Sequence, residues 1–270
     1  MKYIFIAGLE HSGSTLTDFL LSQSPNALGL GEVWQFFDPK HMHQYMQTWG
    51  SYKDVDFCSC MNPWRECLFW QGLISINGLN STLPIDEKYQ YLFNYVDTNY
   101  GAKTTIIDSS KSLTAFLQIE KTLEQSKTIY SKKIIFTCKD VRSFAMSIFR
   151  KNKKTSLIEI YKTFNWWVSV NNSWLEFLEE SSYDYVINLY ENLCESPHKL
   201  VKYITNNAYD ERAVGSSHIA MGNKNFALRN KHHITYDDAW RSNWKIKLVY
   251  FFHFKARKLN ARLYRIALKQ

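Results

Sequence analysis

The sequence predicts a single α/β domain of the phosphate-loop (P-loop) type, with a central parallel sheet flanked by helices, and three stretches carry that prediction. Tyr3-Ile4-Phe5-Ile6-Ala7 is an apolar run of β-formers that passes through a glycine-rich turn into a pattern with Leu16, Phe19, Leu20 and Leu21 on one side. The run Lys132 to Thr137, followed by Val141, Phe144 and Ile148, repeats the order of strand, turn and helix. Thr104 to Ile107 is a third apolar run, ending in the polar cluster Asp108-Ser109-Ser110-Lys111-Ser112. Continuous apolar strands of this kind are those of a parallel sheet buried on both faces. With 270 residues, 45% of them hydrophobic and 16% aromatic, the chain can enclose a sizeable core.

The first turn, Gly8-Leu9-Glu10-His11-Ser12-Gly13-Ser14-Thr15, has two glycines five positions apart and feeds a helix. Such a loop lets successive backbone N–H groups converge on an oxyanion, and the helix N-terminus adds partial positive charge. The Ser14 and Thr15 hydroxyls are further donors. Walker-type triphosphate enzymes place Lys directly after the second glycine and Ser/Thr on Mg²⁺ after that. Here Ser14 occupies the Lys position. The expected ligand is therefore less charged than a triphosphate, and no metal is expected.

Pro25 and the turn glycines Gly29 and Gly31 bracket a short strand whose end delivers Glu32 near the opening of that loop. A carboxylate is a poor anion binder but suits removal of a proton from a hydroxyl. Lys111, at the end of the 103–112 strand, can reach a transferring group, with Asp108 to orient it; Ser112 is a good helix N-cap. At the third turn Lys139 closes the strand and Ser147 follows eight residues later in the helix.

His11-Ser12-Gly13-Ser14-Thr15-Leu16 after a strand resembles the loop of sulfotransferases that use 3′-phosphoadenosine 5′-phosphosulfate (PAPS). The resemblance implies that Glu10, His11, Ser12, Gly13, Ser14 and Thr15 hold the 5′-phosphosulfate. The family has Arg or Lys where His11 stands, and a histidine is only partly charged near neutrality. Gly31-Glu32 at this distance from the loop resembles the tyrosylprotein and carbohydrate branch, which implies Glu32 as general base. Asp108-Ser109-Ser110-Lys111-Ser112 resembles microbial sulfotransferase-like proteins. The Lys139 to Ser147 spacing is similar to the family's Arg and Ser that hold the 3′-phosphate. Lysine there loses the bidentate fork, which Arg142 could restore. The stretch His218 to Asn230 reads as a polar loop and resembles the family's late loop over the nucleotide, with Lys224 or Arg229 as its cation. Tyr190-Glu191-Asn192-Leu193 resembles a structural family motif.

Between about 36 and 75 the chain reads as an irregular aromatic and cysteine-rich insertion, with Trp and Phe side chains as walls of an acceptor pocket or as a small aromatic core. Cys58, Cys60 and Cys67 have the look of three of four zinc ligands. No fourth cysteine follows nearby, and His41 or His43 at this spacing does not fit the common zinc templates, so no metal is expected here. Tyr89, Leu92, Phe93 and Val96 form a core stripe, a long helical pattern runs from Thr155 to Ser182, Tyr183 to Leu193 reads as a strand, and Pro197 starts a helix.

The net charge of +8 sits in the tail: residues 241–270 hold nine basic residues and no acidic one, leaving 24 basic against 25 acidic elsewhere. A basic C-terminal helix at about 240–270 is expected, either closing the core or offering an anionic membrane or polyanion a peripheral contact. No nucleic-acid partner is expected. Five cysteines, an odd number, and a first strand beginning at the chain start point to a reducing, cytoplasmic setting. The expected reaction is sulfuryl transfer from PAPS to a hydroxyl of a saccharide, lipid or peptide, with Glu32 as base, His11 beside the sulfate, Lys111 stabilising the leaving group, and adenosine 3′,5′-bisphosphate as product. Two other readings stay open. A non-catalytic 3′-phosphonucleotide-binding protein accommodates the departures at His11 and Lys139, whereas a P-loop kinase would need Lys at position 14.

Overall fold

The computed structural model describes residues 1–38, 58–64, 66–77, 83–150, 155–205, 216–220, 234 and 236–268. Three strands form the centre: β1 (Lys2–Gly8), β3 (Thr105–Lys111) and β4 (Ser131–Cys138). With β2 (Ala27–Gly31), β5 (Asp184–Leu189) and β6 (Ser216–Ala220) they make a six-stranded sheet in the order β5-β4-β1-β3-β2-β6, every neighbouring pair parallel. Because β1 lies between β3 and β4, the turns after all three emerge side by side at one edge of the sheet. Ala7 is opposite Lys111, and Gly8 is opposite Thr137.

Alternate residues of β1 feed two cores. Ile4 and Ile6 join Leu16, Leu20 and Leu21 of α1 (Ser14–Ser22), Leu193 of α8 (Tyr190–Glu195), and Val201 and Ile204 of α9 (Pro197–Thr205). Tyr3, Phe5 and Ala7 face the larger core. That core is built by α2 (Val33–Phe37), α3 (Leu68–Asn77), α4 (Ile85–Tyr100), α5 (Leu113–Gln125), α6 (Val141–Phe149), α7 (Leu157–Glu180), α10 (Trp244–Phe252) and α11 (Phe254–Ala267). Helix α7 starts with a capping box: the Ser156 hydroxyl accepts from the Glu159 N–H, and the Glu159 carboxylate accepts from the Ser156 N–H. Tyr89, Leu92, Phe93 and Val96 of α4 are all fully buried, as their spacing predicts.

Three expectations change. The strand expected through Leu193 stops at Leu189, where Tyr190 turns into α8. The tail is two helices: His253, at φ −89° and ψ 80°, ends α10, and its side chain then accepts the Ala256 N–H to cap α11. His218, read as part of a loop, lies in β6, the edge strand beside β2.

Candidate active site

The glycine-rich turn is left-handed at three places: Gly8 (φ 135°), His11 (φ 60°) and Gly13 (φ 94°). Positive φ is strained for a residue with a side chain, so His11 is held there by its surroundings. Gly8 has no room for more: a Cβ would lie 2.2 Å from the Thr137 carbonyl oxygen of β4. The Ser12 hydroxyl and N–H both donate to the Leu9 carbonyl, at 2.5 and 3.3 Å, folding the loop on itself. Gly13 is the N-cap of α1 and, having no side chain, supplies no capping hydrogen bond. Ser14 is buried at the first position of the helix. The turn thus has the geometry of an anion cradle.

Glu32 and Lys111, from the neighbouring ends of β2 and β3, meet in an ion pair with side chains 18% and 11% exposed. Lys111 also adopts a left-handed backbone (φ 67°), and the Trp174 indole N–H donates to its carbonyl at 3.0 Å. Burial raises the Glu32 pKa above its ordinary value; Lys111 pulls it back down, while Glu10 and Asp108 push it up. Burial lowers the pKa of His11, Glu10 opposes that effect, and Lys139 and Lys111 add to it. The histidine therefore favours its neutral form near neutrality, and the positive charge of the site rests on the two lysines.

Lys139 is 6% exposed at the end of β4. Its ammonium lies 4.3 Å from the ring centroid of Tyr190, and among the described residues no carboxylate is within ion-pair distance of it. Burial lowers its pKa, and the charges of Glu191 and Asp237 oppose that shift. Its carbonyl accepts from the Trp167 indole at 3.2 Å, so two tryptophans one heptad apart on α7 hold the backbone of both site lysines. Tyr190 also packs on the glycine-rich turn, since a Cβ on Gly13 would lie 2.5 Å from its ring. In the sequence Tyr190 falls in a motif read as structural, and Trp167 and Trp174 are simply part of the long helical pattern; their site contacts have no local sequence signal.

Other expected residues are engaged elsewhere. Arg142 is bidentate to Asp140, at 2.9 and 2.6 Å, and its guanidinium lies 4.0 and 4.4 Å from the ring centroids of Trp240 and Tyr250, so its fork is already engaged here. Ser147 donates to the Phe144 carbonyl of its own helix at 2.6 Å. Asp108 does not pair with Lys111: it accepts from the hydroxyls of Tyr3, Tyr89 and Ser110. Ser110 in turn accepts the Trp34 N–H at 2.9 Å, so Asp108 orders the start of α2 beside Glu32. Ser112 caps α5 through the Ala115 N–H at 3.4 Å. Arg229, Lys224, His41 and His43 lie outside the described residues. Phe69 and Trp70 are buried in the core; their rings are core filling rather than open pocket walls.

Two further groups of residues were missed. Asp18 is fully buried on the leucine face of α1, a lone carboxylate whose oddity was visible in the sequence. It accepts from the Gly31 N–H at 3.0 Å and the Ser109 hydroxyl at 2.9 Å, just behind Glu32. His218 completes a cluster with Cys58, Cys60 and Cys67 whose ligand atoms all lie within 4.8 Å of one another. A partner 151 residues beyond Cys67 could not be found from spacing.

Burial pushes the Asp18 pKa up to about 8, against the lowering effect of its hydrogen bonds. The folded state therefore holds a proton that the unfolded chain releases near 3.8, and the Asp18 contribution to stability falls as pH rises from about 4 to 8. Asp18→Asn mimics the protonated acid. Urea unfolding across this range should show stability near that of the parent at low pH and a flatter decline.

No protein-family model matches the sequence, and no curated protein matches it. Among solved structures, the sulfotransferase domain from the curacin biosynthetic pathway aligns with a TM-score of 0.59 at 17% identity, covering 97% of each chain. The sulfotransferase domain from the Synechococcus PCC 7002 olefin synthase aligns with a TM-score of 0.51 at 17% identity, covering 94% of each. The six-stranded parallel sheet flanked by helices, and the alignment over nearly the whole length of both domains, give this chain the fold of these sulfotransferase domains.

Proposed function

We propose that the chain transfers a sulfuryl group from PAPS to an acceptor hydroxyl of a saccharide, lipid or peptide. The observation that carries this reading is the Glu32–Lys111 pair beside a glycine-rich anion cradle, because it joins a proton acceptor and a cation at the place where a bound anion would react. The buried Lys139, with its ammonium on the Tyr190 ring, supports an anion at a second point, as a doubly phosphorylated nucleotide requires. The fold neighbours are themselves sulfotransferase domains.

In this reading the backbone of residues 9–15, with the Ser14 and Thr15 hydroxyls, holds the 5′-phosphosulfate, and neutral His11 is a hydrogen-bond donor rather than a cation. Lys139 attracts the 3′-phosphate; Ser147 can turn its hydroxyl to it only by giving up the Phe144 carbonyl. Glu32 takes the acceptor proton as the hydroxyl oxygen attacks sulfur. Lys111 neutralises charge on the phosphate oxygen as the S–O bond breaks and adenosine 3′,5′-bisphosphate leaves. Positioning and charge neutralisation supply most of the catalysis in such transfers. The raised Glu32 pKa suits a base working near neutrality, and deprotonation on rising pH turns the activity on.

The tail supports a second, peripheral contact. Phe251, Phe252 and Phe254 are 67, 73 and 71% exposed at the α10–α11 elbow, next to Lys255, Arg257 and Lys258. Among the described residues no helix is long and apolar enough to cross a membrane. We assign the elbow to surface contact with an anionic membrane.

Glu32→Gln should lower kcat by about 10²–10⁴-fold while calorimetric affinity for adenosine 3′,5′-bisphosphate stays within a few-fold. The acidic limb of kcat/KM in the parent should lie above the ordinary glutamate range. Lys139→Met should instead weaken bisphosphate binding about 10-fold or more, for loss of a charge-assisted contact. Co-sedimentation with phosphatidylserine vesicles should fall when Phe252 and Phe254 are both replaced by Ser, and equal binding would remove the elbow from the contact.

A further inference from the structure

Cys58, Cys60, Cys67 and His218 form a cluster that the proposed transfer does not use. The Cys58 and Cys67 sulfurs are 3.6 Å apart, and the His218 Nδ1 lies 3.2 Å from Cys67 Sγ and 4.0 Å from Cys58 Sγ. A tetrahedral zinc ion with Zn–S of about 2.3 Å and Zn–N of about 2.0–2.1 Å has S–S edges of about 3.8 Å and S–N edges of about 3.6 Å. The Cys58–Cys67 edge lies close to the first value and the two His218 edges straddle the second, and with Cys60 Sγ within 4.8 Å of the other three the four atoms can close on one ion. Sulfurs this close share a single metal, which argues against a multi-iron cluster spreading its thiolates over several irons. Cys58 and Cys67 are fully buried, and Cys60 and His218 are half-buried.

We propose that this cluster is a closed, structural Zn²⁺ site of the three-cysteine, one-histidine type. Four protein ligands leave no open position for a substrate, and soft thiolates with one imidazole suit zinc among the common divalent ions. The surroundings already orient the ligands. The His218 ring stacks on Phe69 at 5.0 Å and 12°, and its carbonyl accepts from the Trp70 indole at 2.9 Å. Cys58 pairs with Ala220 in an antiparallel bridge, and Ser59 exchanges hydrogen bonds with Ile219. The ion therefore clamps the 58–67 segment to β6. The strand end it clamps reaches the candidate base: the Ala220 carbonyl accepts the Glu32 N–H at 3.1 Å. Zinc binding displaces the thiol protons to solvent, forming three Zn–S bonds and one Zn–N bond with no redox change.

The test uses the full chain, purified reduced and without chelator from zinc-supplemented cells. Elemental mass spectrometry should find about one zinc per chain. Cys60→Ser and His218→Ala should each reduce that content, and Cys194→Ser, outside the cluster, should not. Because a ligand variant can lose its fold, the parent is also exchanged with Co²⁺ and should show the visible bands of a tetrahedral ion with thiolate charge transfer in the near ultraviolet. Zinc should further protect Cys58, Cys60 and Cys67 from alkylation. Folded, reduced parent protein that carries no zinc and gives no tetrahedral cobalt spectrum would overturn the proposal. So would one equivalent of iron in place of zinc, or a Cys58–Cys67 disulfide in the native chain.

Discussion

The parallel pairing of β1 with β3 on one side and β4 on the other is the constraint from which the site follows. Ala7 opposite Lys111 and Gly8 opposite Thr137 put the exits of β3 and β4 each one strand spacing from the exit of β1. Any residue two or three positions beyond those strand ends is thereby brought to one place. Backbone hydrogen bonding alone makes this arrangement, and the side chains at the exits are free to be chosen for chemistry. At Gly8 the approach to β4 is so close that a side chain is excluded, which ties the shape of the loop to the sheet behind it.

What the sheet assembles, α7 and the buried carboxylates stabilise. Lys111 has a left-handed backbone that lysine does not prefer, and the Trp174 indole holds its carbonyl there. Trp167 does the same for Lys139 one heptad away. Burial, and beyond it the charges of Lys139 and Lys111, disfavour a proton on His11, while Lys111 is itself paired with Glu32. A buried ion pair of this sort is costly to break on one side, so Glu32 and Lys111 act as a unit. Asp108 and Asp18 contribute from behind: the first through Ser110 to the start of α2, the second through the N–H of Gly31.

The edge of the sheet is closed by different means. β6 pairs with β2 but leaves its other side to the 58–67 segment, whose contacts run through Cys58 and Ser59, and to Trp70 of α3 just beyond it. On the β2 side, the lack of a side chain at Gly31 lets β6 come close: a Cβ there would lie 2.2 Å from the Ala220 carbonyl oxygen. The cysteine-rich stretch and the candidate base thus share one short piece of backbone, and the order of one affects the other.

The alternation of apolar runs and helical patterns was enough to read the parallel sheet, because strand burial and helix periodicity are local properties of the chain. Gly8, Gly13 and Gly31 announced their turns for the same reason: positive φ is written in the residue type. The long α4 and α7 patterns were equally legible, whereas the ends of β5 and of the tail helix were not. There Tyr190 and His253 follow tertiary contacts in preference to the local pattern. The sequence by itself determined the fold class, the glycine-rich turn after the first strand and the identity of the charged candidates. Only the tertiary structure decided that Arg142 is taken up by Asp140 and two rings, that Lys139 lies on Tyr190, and that His218 joins three distant cysteines. Those are pairings between residues far apart in the chain, and sheet order and packing, rather than spacing along the sequence, set which of them meet.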